Sequence, residues 1–237
     1  MTETPATPIP VTVVSDPICP WCWLGAARLR RGAAEAGIPV ALTWRPFELN
    51  PGMPPEGMDR AAYRAAKMGA ARSDALDAEM TRLGAEEGLD YRFAAQTRTP
   101  STRRAHALLA FAAAQGRDDA LAEALFRAYF ANGADLTDDA VLLACAADAG
   151  LDPAHARAAL DDAALADLVA REEERARALG VTGVPFFVVA DRWAIAGAQP
   201  AELWRAALAE IAATRATEEA GQGPGQGTGQ ASGDGAA

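Results

Sequence analysis

Two cysteines separated by two residues, Cys19-Pro20-Trp21-Cys22, lie between stretches of opposite character. Before them, Val11-Thr12-Val13-Val14 is too short for a helix and rich in β-branched residues, which predicts a central strand. After them, Trp23 to Ala36 is compatible with helix, and Gly37 suits the position just past a helix C-terminus. A chain built as strand, tight turn and helix places the cysteine pair at the helix N-terminus. Positions i and i+3 of a first turn share a face, so the two sulfurs can reach each other. Unpaired N–H groups and the positive end of the helix dipole favour thiolate over thiol there, and thiolate is the nucleophile. Pro20 fits the first helical position, where an N–H would lack an intrahelical partner anyway. Cys22, one turn in, is better shielded. The pattern predicts Cys19 as the attacking and Cys22 as the resolving cysteine of thiol–disulfide exchange.

Other uses of the pair are weaker. Zinc wants four ligands, and the rest of the chain offers only Cys145, His106 and His155, widely separated. A structural bridge closing so short a loop would constrain the unfolded chain little. Lys and Arg total 22 against 32 Asp and Glu, for a net charge of −10. No basic tract offsets that acidity, which argues against nucleic acid as a main partner. Lys67, the sole lysine among many arginines, reads as compositional bias. No run approaches the length of a membrane span, and Met1 to Pro10 lacks the basic and apolar regions of a secretory signal. The expectation is therefore a cytoplasmic protein, and there a Cys-x-x-Cys pair is more often redox-active than structural.

In chain order, residues 1–9 read as a flexible leader. Val40, Leu42 and Trp44 alternate with Ala41, Thr43 and Arg45, the period of a half-buried strand that Pro46 should end. Arg28, Arg30 and Arg31 read as a solvated face of the first helix. From Met58 to Leu179 the pattern is helical: helices near 58–70, 73–87, 101–115, 117–131, 137–149, 153–160 and 162–179. Ser101 is the expected N-cap of the third, Thr137 opens the fifth, and Asp152-Pro153 starts the sixth. Strand character returns at Phe186–Ala190 and Trp193–Ala196, joined by an Asp191-Arg192 hairpin turn. An amphipathic helix then runs from Ala201 to about Arg215, with Leu203, Trp204, Leu208 and Ile211 on its apolar side. The order strand–helix–strand, helical insert, strand–strand–helix predicts an α/β chain: a thioredoxin-like fold with a large all-helical insertion. The expected divisions are a leader over 1–9, the first part of the thioredoxin-like domain over 10–57, a helical insertion over 58–165, the second part over 166–215, and a disordered Gly/Gln-rich tail over 216–237.

Three stretches carry a family resemblance: Asp16-Pro17-Ile18-Cys19-Pro20-Trp21-Cys22-Trp23, the helix Ser101 to Ala114 with its Arg-Ala-His-Ala-Leu core, and Gly180-Val181-Thr182-Gly183-Val184-Pro185-Phe186-Phe187. Ile195-Ala196-Gly197-Ala198-Gln199 extends the match. To about residue 215 the chain resembles the FrnE-like branch of the DsbA-like thioredoxin-fold oxidoreductases, whose relatives include 2-hydroxychromene-2-carboxylate isomerase and kappa-class glutathione transferase. That resemblance implies a protein disulfide oxidoreductase with Cys19 as nucleophile and Cys22 as resolving thiol. It also implies a cis Val184–Pro185 bond, with the Val184 backbone meeting an extended substrate segment and Pro185 fixing that geometry. Through the same resemblance His106 is expected to line the cleft between insert and core, against the plainer reading of a core or surface histidine. Pro20 and an exposed Trp21 are expected to touch substrate, with Trp23 in the core. No metal or organic cofactor is implied; glutathione is an expected co-substrate, and glutathione or a thioredoxin system the expected recycling partner. Substrates are expected to be thiol- or disulfide-bearing proteins or small molecules, and the resemblance admits a homodimer.

The glutathione-using relatives carry serine where Cys19 stands, whereas this chain keeps both cysteines. A glutathione-dependent isomerase or transferase acting on a small aromatic compound is therefore the second reading, and a peptide-binding, chaperone-like module the third. Asp16 reads equally as a proton acceptor and as a turn cap. Cys145, on an apolar helical face, reads as core.

Overall fold

The structure, a computed structural model, describes residues 7–221. Its central sheet has the strand order β2-β1-β5-β6, with β1 Ile9–Ser15, β2 Val40–Pro46, β5 Phe186–Val189 and β6 Trp193–Ala196. β1 runs parallel to β2 and antiparallel to β5, with Val13 opposite Trp44 on one side and Phe187 on the other. Its interior place explains why the Val-rich run shows no clean polar face: Val11 and Val13 are fully buried. The parallel pairing needs a crossover, which is α1, Pro20–Ala36. Gly37 ends that helix in the left-handed region at φ 67°. β5 and β6 form the expected hairpin, with Ala190 and Asp191 at positive φ in its turn.

Between β2 and β5 lie α2 Arg60–Met68, α3 Ala70–Glu86, α4 Arg103–Ala113, α5 Asp118–Phe126, α6 Asp139–Asp148, α7 Pro153–Leu160 and α8 Ala163–Ala178. A π-helical turn, Arg127–Ala131, prolongs α5. α4, α5 and α8 pack on β2, so the insertion covers one edge of the sheet. α9, Ala201–Gly221, packs along α1. Gly32 makes this close approach possible, since a Cβ there would stand 2.6 Å from Ala201 O and Trp204 Cβ.

The thioredoxin-like fold with a helical insertion matches the expectation, but several details differ. The first strand begins at Ile9, inside the expected leader, because Ile9 N–H donates to Pro39 O and pairs the strand start with β2. Two two-residue strands, β3 Met58–Asp59 and β4 Arg98–Thr99, pair antiparallel where helix and loop were expected. Strands this short carry no periodicity; only pairing makes them. Thr102, not Ser101, caps α4, and Asp138, not Thr137, caps α6, accepting from Ala140 N–H. The last helix continues past Arg215 to Gly221: Ala216-Thr217-Glu218-Glu219-Ala220 holds good helix formers, and only Gly221 begins the Gly-rich composition. Residues 222–237 of the expected tail and 1–6 of the leader lie outside the described residues.

Candidate active site

Cys19 is the N-cap of α1, in extended backbone at φ −89° and ψ 111°. Its N–H donates to Asp16 O, and its own carbonyl accepts from Cys22 N–H at 3.0 Å, so the motif closes on itself. Its thiol donates to the carbonyl of Val184 at 3.7 Å, across 165 residues of sequence. The Val184–Pro185 peptide bond is cis, Pro185 is buried and Val184 half-buried. Gly25, two turns along α1, lets that loop come close: a Cβ would stand 3.1 Å from Pro185 Cγ and Phe187 Cζ.

Cys22 is fully buried. Burial and the neighbouring Cys19 thiol push the Cys22 thiol well above the usual thiol range, against opposing effects of the Ser15 hydroxyl and Asp16 N–H. The two cysteines are free thiols here. Cys22 is thus held protonated behind Cys19. Cys145 is also free and buried on α6, with its thiol pushed up to about 11 chiefly by burial. That is core behaviour.

Pro20 and Trp21 are half-buried at the surface of the motif, and Trp23 points inward. Trp23 stacks on Phe126 and Phe130 and meets Tyr91 edge-on at 5.1 Å, while its Nε1–H donates to Glu123 at 3.1 Å. The Tyr91 hydroxyl donates to Pro20 O at 2.6 Å. Next to Pro20 and Ile18 opens a cleft of about 170 Å³ between core and insertion. Asn50, Arg60, Tyr63 and Lys67 stand on its wall. Lys67 Nζ donates to Asn50 Oδ1 at 3.0 Å and to Tyr63 O–H at 2.7 Å. The lone lysine, read as compositional bias, therefore has a place in the cleft.

His106 does not line this cleft. It is 1% exposed, has no hydrogen-bond partner for either ring nitrogen, and borders a separate cavity of about 230 Å³ between β2, α4 and α8. Its Nε2 stands 3.9 Å from Asp16 Oδ1, too far for a hydrogen bond. Burial lowers the His106 imidazole to about 3, so it is neutral. His106 thus lies between insertion and core, on the β2 side and close to Asp16, away from the cleft beside Pro20. Asp16 itself accepts from Ile18 N–H at 3.3 Å and Leu49 N–H at 2.7 Å, bracing two loops as a turn cap would. Burial, against these hydrogen bonds, raises its carboxyl to about 7.

Arg28, Arg30 and Arg31 are more than a solvated face: Arg31 is exposed and Arg28 and Arg30 half-buried, and each carries an ion pair. Arg28 and Arg31 both pair with the buried carboxylate of Glu87, and Arg30 pairs with Asp119, so all three tie α1 to the insertion. Arg28 also donates to Ala198 O at 2.9 Å. Gln199 is half-buried and donates to Ala196 O, closing the turn after β6. Tyr91, Asn50 and Lys67 escaped the sequence reading, because a lone tyrosine in a connection and a lone lysine on a helix carry no local pattern. No helix among the described residues is long and apolar enough to cross a membrane.

The family model for a DSBA-like thioredoxin domain matches residues 10–209. A probable DsbA oxidoreductase from Streptomyces coelicolor is 35% identical, with 94% of each chain covered and a TM-score of 0.76. A 2-hydroxychromene-2-carboxylate isomerase aligns over 90% of this chain and 98% of its own, at 18% identity and a TM-score of 0.59. The cytosolic disulfide reductase DsbM from Pseudomonas aeruginosa, solved with GSH, aligns over 86% and 99%, at 24% identity and a TM-score of 0.57.

Proposed function

We infer that this chain, which belongs to the DSBA-like thioredoxin-domain family, is a thiol–disulfide oxidoreductase working through a mixed disulfide at Cys19. The observation that carries the reading is the asymmetry of the pair: Cys19, itself only 3% exposed, caps a helix with its thiol on the Val184 carbonyl, while Cys22 is fully buried and held protonated behind it.

The Cys19 thiolate attacks one sulfur of a substrate disulfide. A new S–S bond forms to Cys19 as the substrate bond breaks, and the leaving sulfur departs as thiolate. Cys22 then gives up its proton and attacks Cys19 Sγ, releasing the second substrate thiolate and closing the Cys19–Cys22 disulfide. Two electrons pass from the pair to the substrate, and the reverse sequence oxidises a dithiol. Once ionised, Cys19 no longer donates to Val184 O, and that carbonyl is free to accept an N–H from an extended substrate segment. Pro20 and Trp21 form the near wall of that approach.

A small acidic thiol suits the cleft beside Pro20, where Arg60 and Lys67 offer positive charge and Asn50 a polar contact. Glutathione is the co-substrate this favours, and the DsbM structure with GSH supports it. The same relative supports a cytoplasmic setting.

The test is a pair of variants assayed for reduction of a glutathione mixed disulfide with no glutathione or other free thiol added, so that only Cys22 can resolve the adduct. Cys19→Ser should fall to background. Cys22→Ser should stall as a one-to-one adduct at Cys19, visible by mass. Full turnover by Cys22→Ser would overturn the exchange reading in favour of glutathione-dependent isomerase or transferase chemistry, which does not need Cys22.

A further inference from the structure

We propose that Tyr91 is a positioning residue for the cysteine pair: its hydroxyl, bound to one end of the Pro20–Trp21 peptide, strengthens the N–H at the other end, the group that caps the Cys19 thiolate. The inference rests on the exchange reading above.

Tyr91 comes from the insertion, in a connection between α3 and β4 that has no periodicity of its own. Its ring is held on several sides: edge-on to Trp23 and Phe130, both at 5.1 Å, and parallel to Phe93 at 5.4 Å. Gly84 of α3 completes the enclosure, because a Cβ there would collide with the Tyr91 ring. A ring so confined has one place for its hydroxyl, and that place is 2.6 Å from Pro20 O. Burial holds the phenol far above its usual range, so it is a donor under all working conditions.

The carbonyl of Pro20 and the N–H of Trp21 belong to one peptide group. A hydrogen bond to the oxygen polarises the group and makes its N–H a stronger donor, by about 10–30% per bond. That N–H matters because the start of α1 has few donors. An N-cap side chain accepts from the second or third helical residue. The first, Pro20, has no N–H, and the third, Cys22, spends its N–H on Cys19 O. The second is Trp21. As a thiol, Cys19 donates to Val184 O and its sulfur accepts no capping bond; as a thiolate it can only accept, from the Cys22 thiol behind it and from Trp21 N–H, the remaining backbone donor of the first turn. Tyr91 therefore links the insertion to the electronics of the attacking sulfur through a single peptide unit.

Tyr91→Phe keeps the ring and removes the hydroxyl. Equilibrated in glutathione redox buffers, it should favour the disulfide about threefold more than wild type does, a potential about 14 mV more negative at 29.6 mV per tenfold. Alkylation of Cys19 at fixed pH should slow by a similar factor. Urea unfolding should show the reduced form losing more stability than the oxidised form. Gly84→Ala, which displaces the ring but leaves the hydroxyl, should shift the potential in the same direction. An unchanged potential and alkylation rate in Tyr91→Phe, or equal loss of stability in both redox forms, would overturn the proposal. If wild type forms no intramolecular disulfide, the exchange reading falls, and the alkylation rate alone still decides the role of Tyr91.

Discussion

The cysteine motif is supported from two sides that are built from different materials. Toward the insertion it meets rings: Trp23, Tyr91, Phe93, Phe126 and Phe130, each within 5–6.5 Å of at least two of the others. Toward the ends of the sheet strands it rests on ionisable groups. Asp16 and His106 lie directly below, and Glu48, Glu173 and Arg103 lie beyond, joined by Glu48 N–H to Glu173 at 2.5 Å and Arg103 to Glu48 at 3.2 Å. The wall holds geometry by shape and is indifferent to pH. The floor holds geometry by hydrogen bonds to Ile18 and Leu49 and answers to pH. One motif thus stands between a neighbour whose packing does not titrate and a neighbour whose groups do.

Removing a ring should test the wall most severely. Phe130→Ala empties a fully buried site, and a loss of about 3–5 kcal/mol is expected in urea unfolding, equal at acidic and neutral pH. A loss that varied strongly with pH would mean that wall and floor are not separable.

The floor has a subtler signature. Asp16 is raised to about 7 from 3.8, so its contribution to stability is complete below 3.8 and is lost as pH rises through 7. His106 is lowered to about 3 from 6.5, so its contribution is complete above 6.5 and is lost as pH falls toward 3. Over the shared window the two slopes oppose each other, and wild-type stability should be nearly flat. Asp16→Asn leaves the histidine alone, and stability should then rise with pH by up to about 1.4 kcal/mol per pH unit. His106→Leu leaves the carboxyl alone, and stability should fall with pH at a similar slope. The measurement is unfolding free energy against pH for the three proteins; parallel curves would remove the opposition. The Glu48 carboxyl, also raised, by burial first and then by Glu173, adds a weaker slope of the Asp16 sign to all three.

The smallest effect sharpens the edge of the comparison. Glu123→Ala removes the one carboxylate that bonds the wall's Trp23, at a partly exposed place that water can refill. About 1 kcal/mol should be lost, with no change in the pH profile.

Much of this fold could be read from local pattern. The Val11–Val14 run, the alternation at Val40–Arg45 and the hairpin at Asp191-Arg192 are short-range signals, and the helices of the insertion punctuate themselves with Gly, Pro and Asp caps. The cysteine spacing, set before a helical run, located the candidate site at the start of α1. What stayed hidden was the choice of partners across the chain. Nothing near Arg28 or Arg31 says that Glu87 will be buried against both, and nothing near Tyr91 names Pro20. His106 shows the same limit from the other direction: its helix was legible, but which side of that helix faces the motif's floor depends on how α4 crosses β2. The two-residue strands β3 and β4 exist only as a pair, so neither could be found alone.

The bond between the Cys19 thiol and Val184 O joins residues 165 apart, and that separation is also an interval of time. A ribosome adding about 5–20 residues per second makes the nucleophile roughly 8–33 s before the carbonyl that accepts its hydrogen bond. For that period the growing chain carries a reactive pair without its cradle, open to any thiol or disulfide nearby. Until Val184 is made, the two thiols meet their surroundings without the loop that flanks them in the folded chain.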